Sequence, residues 1–99
     1  MLILAGTVRL PEQALEKARP AMQVMIEASL QEDGCEAYSY AEDVLMPGLI
    51  HVHEIWRDKA ALDRHFESVH LQEWRARWPQ LGIHDRDLRL YETGMAQEI

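Results

Sequence analysis

Two kinds of apolar periodicity follow one another along this chain, and their order restricts its fold more than any other feature. In four segments apolar residues alternate with a period of two, which predicts strands, and between them they recur every three or four residues, which predicts helices. The strands are predicted at 2–10, 35–42, 49–57 and 84–93, and the helical segments at 12–31 and 58–82. This order predicts an α+β, ferredoxin-like βαββαβ sandwich with an antiparallel four-stranded sheet.

The first strand is apolar on both of its faces. Leu2, Leu4 and Val8 alternate with Ile3 and Ala5, a pattern typical of a strand that is covered on both sides. Two helices can cover only one face of the sheet, and the other face would present on the order of 400 Å². We therefore predict a homodimer in which the two sheets pack face to face.

Side chains and breaks in the pattern predict where the helices begin and end. Pro20 lacks the N–H that would bond the carbonyl of Glu16, which predicts a kink or two short helices meeting there. Asp58 and Ser68 are residue types that cap helix N-termini, so a helix is predicted after each. Gly82 predicts the end of the helical segment before the last strand.

Length and composition exclude several classes of function. The 99 residues suffice for one domain, expected at 1–94, with a loose tail at 95–99. Ten basic against 17 acidic residues give a net charge of −7, which disfavours binding to nucleic acid or an anionic membrane. The five glycines are at least 12 positions apart, so no glycine-rich loop exists to bind ATP, NAD or FAD. Without a signal or membrane-spanning segment, the chain is expected to be cytoplasmic.

Cys35 is the only cysteine, which excludes an intrachain disulfide and a thiolate metal cage. It alternates with small residues that we expect to face a helix. Its pattern predicts an inert core thiol.

Three segments of the chain resemble one known family. The segments are DGCEAY at 33–38, EIW at 54–56 and ALDRHFESVH at 61–70. In order and spacing they resemble the antibiotic biosynthesis monooxygenase family of dimeric α+β barrels. Members include cofactor-free oxygenases that act on quinols and polyketide phenols, heme-degrading enzymes and many uncharacterised proteins. The resemblance implies a barrel formed by two sheets, an aromatic substrate, O₂ as the second reactant and no cofactor.

Two histidines are candidates for a catalytic base. His65 lies on an apolar helical stripe, where a histidine is more often a core residue bonded to a nearby carbonyl or carboxylate. The resemblance implies a functional histidine at this position. His70 would lie in the first turn of the helix capped by Ser68, where the helix dipole favours the neutral imidazole that can act as a base.

Glu54 and four aromatic residues complete the candidate site. Glu54 lies on a central strand beside Trp56, and a buried carboxylate needs a partner, so it forms either a structural ion pair or a contact that orients a catalytic imidazole. Tyr38, Trp56, Trp74 and Phe66 are candidates for substrate-binding walls around a flat ring. Each of them also fits a core or dimer contact.

Two further pairs of residues admit two interpretations each. His51 and His53 share a strand face and could chelate a metal if a third ligand came from elsewhere, or they could lie at the dimer contact. No metal site is predicted from them. Arg75 and Arg77 are typical of a solvated helix surface, with an anionic substrate oxygen as the alternative partner of one of them.

The favoured hypothesis is a cofactor-independent monooxygenase acting on a quinol or another electron-rich hydroxylated aromatic, with His65 or His70 as the base. One alternative is a cofactor-free isomerase or other proton-transfer enzyme, which anaerobic turnover would distinguish. The other is a non-catalytic dimeric module that binds a small molecule. An unfilled cavity reaching His65 from solvent would favour the enzymatic hypotheses.

Overall fold

A computed structural model describes all 99 residues and has the predicted order of elements. A 3₁₀ turn at Glu12–Ala14 precedes the first helix, and residues after Glu92 have no regular secondary structure. None of the helices is both long and apolar enough to cross a membrane. The strands are β1 (Leu2–Arg9), β2 (Cys35–Glu42), β3 (Leu49–Trp56) and β4 (His84–Glu92), and the helices are α1 (Leu15–Leu30), α2 (Lys59–Phe66), α3 (Val69–Ala76) and α4 (Trp78–Leu81).

The four strands form one antiparallel sheet in the order β2-β3-β1-β4, which confirms the predicted ferredoxin-like α+β class. Leu4 at the middle of β1 lies opposite Glu54 on β3 and opposite Leu90 on β4. Paired residues point to the same side of a sheet, so these three side chains lie on the face that carries the helices. On the other face, Ile3 and Ile55 are only half-buried.

The helices cover the sheet unevenly. Helix α1 packs on β2 and α3 and buries Ala18, Met22 and Met25. Towards β4 the cover ends, since Leu88 is half-buried and Leu90 is 47% exposed on the helix-facing side. The interior of the sandwich is therefore closest to solvent along β4.

The first helix does not divide at Pro20. A single α-helix runs from Leu15 to Leu30 through this residue, so the prediction of two short helices is wrong. Pro20 and Glu16 are both exposed, and the Glu16 carbonyl left without an N–H partner can bond water instead.

Side-chain caps position the two helices that carry the candidate histidines. The Asp58 carboxylate accepts a hydrogen bond from the Ala61 N–H at 2.9 Å and starts α2. The Ser68 hydroxyl accepts one from the Leu71 N–H at 3.3 Å and donates to the His65 carbonyl at 2.6 Å, which ties the start of α3 to the end of α2. Both predicted caps are confirmed.

A bulge at the start of β2 changes the position of Cys35. Cys35 lies opposite Trp56, on the helix-facing side, whereas Ala37 lies opposite Ile55 on the other face. The prediction that the small residues following Cys35 face a helix is therefore wrong. Partial burial raises the pKa of the Cys35 thiol to about 11, which keeps it protonated at neutral pH.

Candidate active site

A small apolar cavity lies between the sheet and the helices. Twelve of the fifteen residues that line it are hydrophobic, and the three polar exceptions are Glu54, His65 and Arg75. Its volume of about 30 Å³ is enough for one or two water molecules, whereas pockets for small ligands usually measure roughly 300–1,000 Å³. Phe66 also lines the cavity and is 39% exposed. An aromatic ring could enter only if side chains at this edge moved aside.

His65 reaches this cavity from α2 and is 1% exposed. Its Nδ1 lies 2.6 Å from Oε2 of Glu32. A carboxylate only accepts hydrogen bonds, so Nδ1 carries the proton and Nε2 keeps its lone pair. Nε2 lies 4.0 Å from Oε1 of Glu54, which also lines the cavity. The unprotonated nitrogen is therefore the one on the side of Glu54, a residue that lines the cavity.

Burial shifts both of the ionisable groups that face each other here. It lowers the pKa of His65, against the opposing effect of the Glu32 carboxylate, so the imidazole is neutral at pH 7. It raises the pKa of Glu54 to about 7, although the indole N–H of Trp56 donates to Oε1 of Glu54 at 2.9 Å. Near neutral pH the site thus holds a neutral base beside a carboxyl group that is close to its titration point.

Glu32 joins the two candidate histidines. The imidazole of His70 donates from Nε2 to the same Oε2 of Glu32 at 2.8 Å. Two N–H donors on one oxygen fix the carboxylate, and the carboxylate in turn fixes the ring of His65. Glu32 follows the last turn of α1, so three elements of the fold meet at this point.

Comparison with known families identifies the family to which this chain belongs. The sequence profile of the antibiotic biosynthesis monooxygenase family matches residues 1–77. The chain belongs to this family.

Solved structures and a curated relative agree with that assignment. One solved structure is that of a Deinococcus radiodurans protein, which has been provisionally named an antibiotic biosynthesis monooxygenase. It is 27% identical to this chain, with a TM-score of 0.92 over 100% of this chain and 98% of that protein. A Mycobacterium tuberculosis structure is 23% identical, with a TM-score of 0.83 over 99% of this chain and all of the other, and this likeness concerns the fold alone. An uncharacterized Synechocystis protein is 29% identical over 99% of this chain and 67% of its own length.

In this antibiotic biosynthesis monooxygenase-family chain, three of the four predicted substrate-binding aromatics line the cavity: Tyr38, Phe66 and Trp74. Trp56 does not line it. Its side chain is fully buried, and its ring centroid lies 4.6 Å from that of His65. Trp56 therefore packs against the imidazole and donates its indole N–H to Glu54.

The predicted acid–base residues occupy different places around this cavity. Glu54 and His65 line it, whereas His70 lines a separate groove between α1 and α3. The expectation that Glu54 holds the imidazole needs correction, since the oxygen within hydrogen-bond distance of His65 belongs to Glu32. The sequence analysis missed Glu32 because this residue follows the helical segment predicted at 12–31. It does not belong to the apolar stripe of that helix, so no periodic pattern marks it. The catalytic roles themselves stay predictions.

Two groups of side chains carry atoms that could ligate a metal ion. His51 and His53 are exposed on the open face of the sheet, and Nε2 of His51 bonds Oδ2 of Asp43 at 2.8 Å. The donor atoms of Glu32, His65 and His70 all lie within 4.8 Å of one another, and two imidazoles with a carboxylate suit a transition metal. The two hydrogen bonds to Glu32 also hold these imidazoles together without an ion.

Proposed function

We propose that the chain is a cofactor-independent monooxygenase that oxidises a quinol or another electron-rich hydroxylated aromatic. One observation carries the proposal: the buried His65 lines an apolar cavity and is held through Nδ1 by Glu32, which leaves Nε2 as its basic nitrogen. The monooxygenase family and the name of the Deinococcus radiodurans relative support this class of reaction.

His65 acts as the general base in the proposed reaction. Nε2 takes the proton of a substrate hydroxyl, and the resulting phenolate gives one electron to O₂. The aryloxyl radical and superoxide then join at a ring carbon that carries hydrogen, forming a carbon–oxygen bond. The peroxide takes up the proton held by His65, loses the ring hydrogen as the O–O bond breaks, and yields a quinone and water. One oxygen atom enters the product and the other leaves in water, so the substrate supplies all the electrons.

The remaining residues would position the base and exclude water. Glu32 stabilises the imidazolium that forms when Nε2 is protonated, as a carboxylate at Nδ1 does in other histidine bases. His70 holds Glu32 through its own hydrogen bond. Tyr38, Phe66 and Trp74 would surround the substrate ring once the cavity opens.

Oxygen uptake tests the proposed reaction. The protein should consume O₂ above the buffer rate with at least one member of a panel of hydroquinones and hydroxylated naphthalenes, and the quinone formed should match the O₂ used. His84→Ala, which removes an exposed histidine at the start of β4, is the matched control and should retain the activity. Rates equal to buffer for every phenol would refute the proposal, and anaerobic turnover of the same substrates would favour the isomerase alternative.

We also propose that two copies pair through their open sheet faces. Ile3, Ala5 and Ile55 lie there half-buried beside exposed His53, so the face is partly apolar without being covered by a helix. A second sheet would bury these side chains and cover the outer side of β1. Sedimentation should give twice the mass of one chain, and Ile55→Glu should shift it towards the monomer. A wild-type protein that sediments as a monomer at micromolar concentration would refute the pairing.

A further inference from the structure

A groove outside the cavity collects positive charge on an acidic protein. It measures about 320 Å³ and runs between α3 and β4. Four of its residues also line the central cavity, so the two spaces adjoin. The shared residues are Leu4, Phe66, Arg75 and Leu88. The others are Arg86, Arg89 and Leu90, and no carboxylate side chain lines the groove.

Two of these three arginines have no ion-pair partner. Arg89 bonds Asp87 at 3.3 Å, whereas Arg75 and Arg86 form no salt bridge in the structure. Half of the ten basic residues of the chain do pair with a carboxylate, and acidic residues outnumber basic ones by 17 to 10. A groove with two unpaired guanidinium groups is therefore locally positive, whereas the protein as a whole is negatively charged.

The position of these two arginines suits a ligand that spans cavity and groove. Arg86 lines the groove together with Leu88 and Leu90 of the same strand. Arg75 lines both spaces and thus stands at their junction. A ring lying beside Phe66 and Leu88 would carry its outer substituent towards both guanidinium groups.

We propose that the substrate is a hydroxylated aromatic bearing an anionic oxygen substituent such as a carboxylate, which Arg75 and Arg86 bind at the mouth of the cavity. This inference rests on the proposed function for the orientation of the ring, with the hydroxyl towards His65. Guanidinium groups match the planar geometry of a carboxylate and bind it through two parallel hydrogen bonds. The rest of the groove consists of Leu4, Phe66, Leu88 and Leu90, which would contact the ring, and of Arg89, which bonds Asp87.

Equilibrium binding tests the anionic subsite without any turnover. Under anaerobic conditions, tryptophan fluorescence would follow the binding of 2,5-dihydroxybenzoate, its methyl ester and unsubstituted hydroquinone. The acid should bind on the order of 10-fold more tightly than the ester, and Arg75→Gln or Arg86→Gln should remove most of that difference. Arg77→Gln is the matched control, because Arg77 directly follows α3 and lines the separate groove between α1 and α3.

The outcomes separate this inference from the oxygenase reaction. If the acid binds selectively and the two arginine variants lose that selectivity, the subsite stands even when no phenol is oxidised. Equal binding of acid and ester, no binding of any of the three, or unchanged selectivity in both Arg75→Gln and Arg86→Gln would overturn it. A failure of oxygen uptake alone would refute the reaction and leave the subsite in place.

Discussion

His65→Asn should lower the rate of oxygen uptake by roughly 10²- to 10⁴-fold, the usual contribution of a positioned base. Asparagine places an amide N–H near the position of Nδ1 and can still donate to Glu32, but it offers no basic nitrogen to the cavity. The fold should survive, because the contact between α2 and Glu32 is kept. Initial rates of O₂ consumption, with circular dichroism to confirm folding, measure the effect.

His70→Gln is the matched comparison for this experiment. Glutamine can place an amide N–H near the position of Nε2, so Glu32 keeps its second donor, and His70 does not line the cavity. Its loss of activity should be much smaller than that of His65→Asn. A folded His65→Asn protein with more than half of the wild-type rate, or a reversed order of the two variants, would show that His65 is not the base.

Glu54→Gln should become more stable than the wild type as pH rises. The folded-state pKa of Glu54 is raised from 4.5 to about 7 by burial, so the group favours folding below pH 4.5 and loses that contribution as pH increases through 7. Between pH 4.5 and 8, the free energy of unfolding of Glu54→Gln relative to that of the wild type should increase by about 3 kcal/mol. Glutamine keeps an oxygen for the indole N–H of Trp56.

Urea unfolding of both proteins at pH 4.5 and pH 8 measures this change. Both proteins keep His65 and its hydrogen-bonded partner Glu32. Glu36→Gln, at an exposed position of β2, is the control and should show little pH dependence relative to the wild type. An unchanged difference between Glu54→Gln and wild type at the two pH values would mean that Glu54 is ionised in the folded protein at ordinary acidic pH.

The sequence predicted the fold closely because each element carries its own local signal. Period-two alternation defined the strands to within about one residue, and the side chains of Asp58 and Ser68 marked the starts of α2 and α3. Pro20 was misleading, because an exposed helix surface tolerates a missing N–H that a buried one would not.

The site was less predictable because it depends on distances between separate elements. His65 and Glu54 could be selected from their unusual place among apolar residues, but Glu32 has a long-range partner 33 positions away and no local pattern. The bulge that moves Cys35 to the side of Trp56 also leaves no periodic signal. The small volume of the cavity depends on how side chains from the sheet and the helices interlock, which spacing along the chain does not reveal.

A crystal structure with a bound phenol that cannot be oxidised would test the central claim most directly. The cavity is expected to widen by movement of Phe66, with the ring beside Tyr38 and its hydroxyl oxygen within about 3.2 Å of Nε2 of His65. A phenol bound only on the open face of the sheet, with the interior unchanged and Nε2 out of its reach, would contradict the proposed chemistry.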